Sequence, residues 1–361
     1  MKEQFKKIKP YKLASHKIWS VSDERQSDIL KLDWNEATIQ PSPMVKEAIM
    51  NFVEKNVFNY YPATNNDKLI HALANYIGIN DNNIQYFASS DSLHEYIAQM
   101  YINDGDIVVI VWPSYDNFRV TAEINGAEIE YFRLSDGFTL KIEKFIEFLK
   151  EKKPVLVYMC NPNNPTGTIQ MPETIENYLK MFPDTMFLID EAYADFSKVS
   201  CKDLVNCYNN IIISRTMSKA FALANFRFGY MISSKENVDN VNTIRNAKNI
   251  SSLSQVAVLA ALNDIQYVND YVNEVNKSKS IFVDKLKGIK NIQLYAGQGN
   301  FVMIEFPSYD YKIKLIDFLE KHNIFVRNLQ QDESVRNCIR VTVGTREQMI
   351  RVAQVIREGL N

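Results

Sequence analysis

The sequence has little of what builds metal centres or covalent frameworks. Its four histidines, His16, His71, His94 and His322, fall at no metal-ligand spacing, so no metal is expected. The four cysteines, Cys160, Cys201, Cys207 and Cys338, form no CxxC pair; free thiols in a reducing cytosol are expected. Neither charge prevails: 41 Lys and Arg stand against 43 Asp and Glu, a net charge of -2. That balance gives no reason to expect nucleic acid or an anionic membrane as partner. Long apolar runs are also missing. The strongest, DIVVIVW at 106–112, is too short to span a bilayer and reads as a buried strand. The basic start MKEQFKKIKPYK leads into no apolar stretch, so no signal peptide is expected. GQGN at 297–300 lacks the third glycine of a dinucleotide fingerprint, and neither GxxxxGKS nor GxxxxGKT occurs. No repeat or low-complexity segment is visible.

What is present is an alternation. A chain of 361 residues exceeds most single-core domains, which predicts two unequal domains or one large domain with an appendage. Between 84 and 232, β-rich runs alternate with longer mixed segments. The runs are IQYFA (84–88), IVVIV (107–111), AEIEYF (127–132), VLVYM (155–159), MFLID (186–190), IIIS (211–214) and FGYMI (228–232). Several are apolar at consecutive positions, as strands covered on both faces are. Segments between them, such as KIEKFIEFLKEK (141–152), carry helical spacing. The pattern predicts an α/β domain with a mostly parallel sheet. From 252 to 287 follows a long helical stretch able to bridge domains. The rest, with IQLY (292–295), FVMIE (301–305), NIFVR (323–327), CIRVTV (338–343) and two helices, predicts a small α+β domain. The expected division is an arm over 1–35, a large domain over 36–250, and a linker helix with the small domain over 251–361.

Open α/β sheets place ligands at the carboxyl ends of their strands, so the residues after each run matter most. After IQYFA come Ser89, Ser90, Asp91 and Ser92, which suit either an anion cradle at a helix start or a plain N-cap. Tyr115 follows IVVIV and could pack or stack on a ring. CNPNNPTG (160–167) is an emphatic turn, richer in amide side chains than a turn needs, so Asn164 either shapes the loop or addresses a ligand. Asp190, at the end of a buried strand, must find a cation or donors; Glu191, Ala192 and Tyr193 follow. A structural ion pair would also satisfy it. Thr216, Ser218, Lys219 and Arg227 follow IIIS in a stretch rich in small residues and aromatics and without an acid. A lysine in such surroundings can serve as an amine nucleophile or base. Together these groups match what pyridoxal phosphate requires: an amine, an acid for the ring nitrogen, donors to the ring hydroxyl and an anion site.

The ordered motifs NPNNPTG, DEAY and RTMSKAFALANFRFGY resemble the fold-type I aminotransferases, in particular the histidinol-phosphate aminotransferase branch. The resemblance runs from LDWNEA (32–37) through YYP (60–62) to CIRVTVGTREQM (338–349), nearly the whole chain. It implies a pyridoxal 5′-phosphate enzyme whose large domain holds a mostly parallel, mixed seven-stranded sheet beside a small α+β C-terminal domain. By the same resemblance, Lys219 is the amine that takes the cofactor aldehyde, Asp190 pairs with the ring nitrogen, and Asn164 and Tyr193 bond the ring hydroxyl. Tyr115 stacks on the ring. Ser90, Asp91, Thr216, Ser218 and Arg227 hold the phosphate, joined by Tyr61 from the neighbouring subunit of a homodimer. Arg340 grips a substrate carboxylate, and Arg327 is a second anion-binding arginine. The implied activity moves an amino group between a donor such as glutamate and a small anionic, even phosphorylated, ketone or amine. A decarboxylase of phosphorylated amino acids resembles the same branch and is the alternative. The effector domain of a transcription regulator would need a DNA-binding domain, for which no room is seen before residue 32. Three departures from the family pattern, Asn225 in LANFR, the loop Ser89-Ser90-Asp91-Ser92 and Asp33 in LDWNEA, spare the cofactor residues. They fall where substrate is felt and point away from the ordinary histidine-pathway enzyme.

Overall fold

The computed structural model describes residues 7–11, 28–55 and 58–360. Its first strand, β1 (Leu30–Leu32), belongs to a smaller sheet. The larger sheet comprises β2 (Ile84–Phe87), β3 (Ile107–Trp112), β4 (Glu128–Arg133), β5 (Leu156–Cys160), β6 (Met186–Asp190), β7 (Ile211–Thr216) and β8 (Gly229–Ser233). These seven strands lie in the order β2-β8-β7-β6-β5-β3-β4. Only β8 runs against its neighbours. The sheet is mostly parallel and mixed, as the sequence predicts. Strands β5 to β8 are buried along their whole length, which explains their unbroken apolar runs. Edge strand β4, EIEYFR, is instead exposed at both ends, and its charges blunt an open edge.

Eight helices accompany this sheet: α1 (Pro43–Lys55), α2 (Asp67–Ile77), α3 (Ser90–Tyr101), α4 (Asn117–Ile124), α5 (Ile142–Lys152), α6 (Pro172–Met181), α7 (Ala194–Ser197) and α8 (Lys235–Ile244). The stretch from 252 to 287 is not one helix. It divides into α9 (Ser252–Leu262) and α10 (Ile265–Leu286), parted at Asn263 and Asp264. Asp264 leaves helical geometry (φ -126°, ψ 54°) and accepts a hydrogen bond from Ser42 Oγ beside the start of α1. The apolar α9 packs on α1 and α2, while α10 packs on both α7 and α12 (Arg346–Leu360). The smaller sheet adds β9 (Gln293–Tyr295), β10 (Phe301–Glu305), β11 (Ile324–Asn328) and β12 (Cys338–Thr342), in the order β1-β11-β12-β10-β9. Helix α11 (Tyr309–Lys321) packs on β11. The arm expected over 1–35 thus ends as a parallel strand on β11. Residues 1–6 and 12–27 of that arm lie outside the described residues.

The ion pair expected near DEAY falls on Glu191, not on Asp190. Glu191, with no exposed surface, accepts from Arg215 Nε (2.9 Å), Arg215 Nη2 (2.7 Å), the Cys201 amide (2.6 Å) and Ser200 Oγ (2.8 Å). Arg215 Nη1 also lies 3.3 Å from Asp195, which accepts the Tyr76 hydroxyl. Removing one member strands a buried charge. Arg215→Ala is therefore expected to cost about 3–5 kcal/mol of stability, read as a lower urea midpoint.

Candidate active site

Parallel strands bring their carboxyl ends to one edge of the sheet, and the reversed β8 starts there. The register places Phe87 and Thr216 on either side of Gly229, and Asp190 beside both Cys160 and Ser214. The loops after β2, β3, β5, β6 and β7 therefore converge.

The first group has the donors that an anion cradle requires. Ser89, at φ +91°, caps α3 by accepting from the Ser92 amide (3.3 Å). Amides at the first turn of a helix have no partner inside it and favour an anion. Gly229 lies flush beneath this turn: a Cβ there would stand 2.3 Å from Ser90 N and 2.5 Å from Ser89 C. Thr216 Oγ1 accepts from the Ser218 amide (3.1 Å) and donates to Ser218 Oγ (2.9 Å). Arg227, at φ +48°, holds Nη2 3.7 Å from Asp91 Oδ2. Asp91 Oδ1 also accepts from Tyr115 (3.2 Å) and from Asn117 (3.1 Å).

The second group surrounds Lys219, whose Nζ donates to the Trp34 carbonyl at 2.9 Å. Burial, aided by Arg340 and Arg227 and opposed by Glu36 and Asp91, brings its pKa down to about 8. Below that value the group is an ammonium; above it, a free amine. In cofactor-free protein, labelling of Lys219 by an amine reagent should therefore rise with a midpoint near pH 8. Ordinary surface lysines should follow at about 10.4, as peptide mapping would show.

Asp190 forms the floor. It accepts from the Tyr158 hydroxyl (2.8 Å) and the Ala192 amide (3.1 Å), and among the described residues no cation pairs with it. Its negative charge is thus held in place by neutral donors. Asn164 and Asn35 both donate to the Tyr193 oxygen, at 3.2 and 3.0 Å. The hydroxyl proton therefore remains available to a ligand, and burial raises the Tyr193 pKa, keeping that proton on.

Arg340, buried in β12, donates to Asn164 Oδ1 and to the Asp33 carbonyl (2.6 Å), and its guanidinium lies over Phe301. Its Nε has no partner among the described residues. Arg327 stands opposite it on β11. Both arginines, with Tyr115, Asn164, Arg119 and Lys9, line a cleft of about 820 Å³. Asp332 ties the rim: it accepts from Trp112 Nε1 (2.7 Å) at the end of β3 and from Arg133 at the end of β4. Burial opposes its ionisation, but hydrogen bonds from Ser334, Arg133 and Trp112 outweigh it and hold the carboxyl at about 2.

Of the residues singled out in the sequence, Ser90, Asp91, Tyr115, Asn164, Asp190, Tyr193, Thr216, Ser218, Lys219, Arg227, Arg327 and Arg340 lie along this edge and cleft. Tyr61 stands apart. It is 81% exposed, with Lys248 Nζ 5.1 Å from its ring centroid. Asn225 is exposed and faces a second cavity of about 380 Å³, beside Ser218, Lys31 and Glu36. Sequence reading missed Tyr158, Asn35 and the carbonyls of Trp34 and Asp33. Tyr158 sits two residues before the end of its strand, a weak signal; the carbonyls give none.

Residues 27–356 match the family described as aminotransferase class I and II. This chain belongs to the class I and II aminotransferases. The aminotransferase is 44% identical over 364 residues to a dihydroxyacetone phosphate transaminase of Campylobacter jejuni, covering 99% of this chain and 96% of that one. It is 31% identical to a histidinol-phosphate aminotransferase of Clostridium kluyveri, over 88% of this chain and 90% of the relative. The crystal structure of histidinol-phosphate aminotransferase from Sinorhizobium meliloti in complex with pyridoxal-5′-phosphate shares its fold. That match has a TM-score of 0.87 at 22% identity, over 100% of this chain and 97% of the other. The fold is that of the type I pyridoxal-phosphate-dependent transferases, and the cofactor of this aminotransferase is pyridoxal 5′-phosphate. The residues present fit that group: an anion cradle closed by a glycine, a buried carboxylate without a cation, and an amine of lowered basicity. No described helix is long and apolar enough to cross a membrane.

Proposed function

We propose that this aminotransferase moves the amino group of a donor such as glutamate onto dihydroxyacetone phosphate, yielding an amino-alcohol phosphate. The pairing of Arg340 with Arg327 across two adjacent strands carries the reading, because donor carboxylate and acceptor phosphate each call for a guanidinium. The 44% identical relative supports the choice of acceptor. When bound, the cofactor supplies an aldehyde carbon for an amine and a cationic ring that withdraws electrons from the carbon bearing nitrogen.

The chain's own residues then have these roles. Ser90 and Asp91 through their amides, with Thr216, Ser218 and Arg227, hold the cofactor phosphate. Asp190 holds a proton on the ring nitrogen, and Asn164 and Tyr193 bond the ring hydroxyl. Tyr115 covers the ring. Lys219 would hold the aldehyde, and its free amine would carry the proton that must leave the α-carbon. In the ligand-free site burial already lowers its pKa to about 8, toward the range of a general base. Arg340 and Arg327 orient the substrate anions. For the domains, the packing of α9 on α1 and α2 favours moving the boundary from 251 to the break at Asn263.

The reading includes a cytoplasmic homodimer in which Tyr61 reaches the partner's cradle. Exposed Met50, Val53, Phe58, Tyr60 and Tyr61 support a covered face there. Mixing K219A with Y61A protomers is expected to restore activity above either alone, since one site per heterodimer is then intact. No recovery would place Tyr61 outside the neighbour's site.

The function is tested by incubating the loaded enzyme with glutamate and dihydroxyacetone phosphate and following 2-oxoglutarate. Imidazole acetol phosphate and O-phosphothreonine serve as competing substrates. Amino transfer confined to imidazole acetol phosphate would overturn the acceptor. Carbon dioxide release from O-phosphothreonine without amino transfer would overturn the reaction.

A further inference from the structure

Lys279, on α10, reaches no carboxylate among the described residues. Its Nζ donates instead to the carbonyls of Gly297 (2.8 Å) and Gly299 (2.9 Å), on either side of Gln298. Burial alone acts on this amine and lowers its pKa to about 8. A half-buried lysine without a counter-charge is an expensive way to steady a surface loop. What the loop touches gives it another purpose.

The GQGN segment (297–300), without the third glycine of a nucleotide fingerprint, meets the NPNNPTG turn backbone to backbone. The Gln298 amide donates to the Gly167 carbonyl at 2.7 Å, and a Cβ on Gly297 would lie 2.2 Å from that same oxygen. Gly167 in turn donates to the Asn163 carbonyl (2.7 Å), next to Asn164. On its other side the segment continues into Asn300, whose Nδ2 donates to the Asn35 carbonyl (3.1 Å). Phe301 follows, with its ring edge-on to Tyr193 (centroids 5.2 Å apart) and beneath Arg340. One loop thus abuts the supports of Asn164, Tyr193 and Arg340.

We propose that Lys279 is a positioning residue for the transamination site, anchoring the 297–299 loop so that Asn164, Tyr193 and Arg340 keep their mutual geometry. The proposal rests on the roles given above to those three residues. Those roles are tested separately by whether N164A and R340A impair the enzyme.

The test compares K279M, K279R and wild type as cofactor-loaded enzymes. Measured are the melting temperature, Kd for pyridoxal phosphate, KM and kcat for glutamate, and the pH midpoint of the bound cofactor's absorbance. K279M matches the length of lysine and removes the ammonium. Expected is a rise in KM of about 10-fold or more with a smaller change in kcat, because Arg340 is the residue of the three assigned to the substrate anion. The absorbance midpoint should shift as well, because Asn164 and Tyr193 bond the ring hydroxyl, and K279R should restore both readings in part. G297A, which presses on Gly167 and leaves the lysine intact, should reproduce the same signature. Should K279M fail to fold, K279Q, which keeps an amide donor for one carbonyl, takes the same readings. Wild-type KM and absorbance midpoint in K279M or K279Q would overturn the proposal, as would a loss of melting temperature alone. Defects in N164A and R340A beside an unaltered K279M would leave the site assignment standing and remove only Lys279 from it.

Discussion

Lys219→Ala is expected to lower kcat for amino transfer by about 10⁴-fold or more, the upper range for loss of a positioned acid–base group. Two losses combine. The amine proposed to bind the cofactor aldehyde disappears, and so does the ammonium that donates to the Trp34 carbonyl at the centre of the site. The variant should still bind the cofactor through the cradle, because Ser90, Thr216, Ser218 and Arg227 are untouched. Borohydride treatment should leave the cofactor's mass on the Lys219-bearing peptide of wild type, with no such mass on the variant. A variant that transfers amino groups at a rate within about tenfold of wild type would remove Lys219 from the chemistry.

Asp190→Asn should rank next, with kcat/KM reduced by about 10²–10⁴-fold. The substitution is nearly isosteric. Its amide oxygen can still accept from Ala192 or Tyr158, so the melting temperature should move little. What goes is the negative charge, which a ring nitrogen needs to keep its proton in a buried site. The neighbouring Glu191 supplies the control. Its charge is committed to Arg215 at 2.7 Å, so Glu191→Gln should act on stability and spare the cofactor spectrum. Loss of stability in D190N with kcat/KM unchanged would reverse these two assignments.

Much of the large sheet was legible because a strand covered on both faces announces itself by an unbroken apolar run, as IVVIV and IIIS do. The gathering of Asn164, Asp190, Thr216 and Lys219 was legible too, since parallel strands deliver their next few residues to a common edge, whereas Tyr61, Arg327 and Arg340 entered only through the family resemblance. Legibility ended where long-range contacts decide. The helical pattern of 252–287 runs on through Asn263 and Asp264, and a hydrogen bond from Ser42, 222 residues away, accompanies the break. β1 is only three residues long, too short for its period to be read. Asn35 meets Tyr193 across 158 residues, and nothing local in LDWNEA signals it. That the ion pair falls on Glu191 and not on Asp190 depends on where Arg215 points, which alternation along β7 alone cannot fix. GQGN was readable as a failed nucleotide motif, but its fit against Gly167 required both loops in place.

The reversed β8 has one further consequence. Because it returns antiparallel along β7, with Thr216 opposite Gly229, the residues from Thr216 to Gly229 form a single strand–loop–strand calliper. Lys219 and Arg227, proposed to grip opposite ends of the cofactor, are both mounted on it, so the distance between those grips would be gauged within one local unit. The substrate has no such gauge. On the proposed reading its ends would be measured between Lys219 on one sheet and Arg327 and Arg340 on another. A change in how the two sheets sit together would therefore alter which substrate lengths are accepted while leaving the hold on the cofactor as it was.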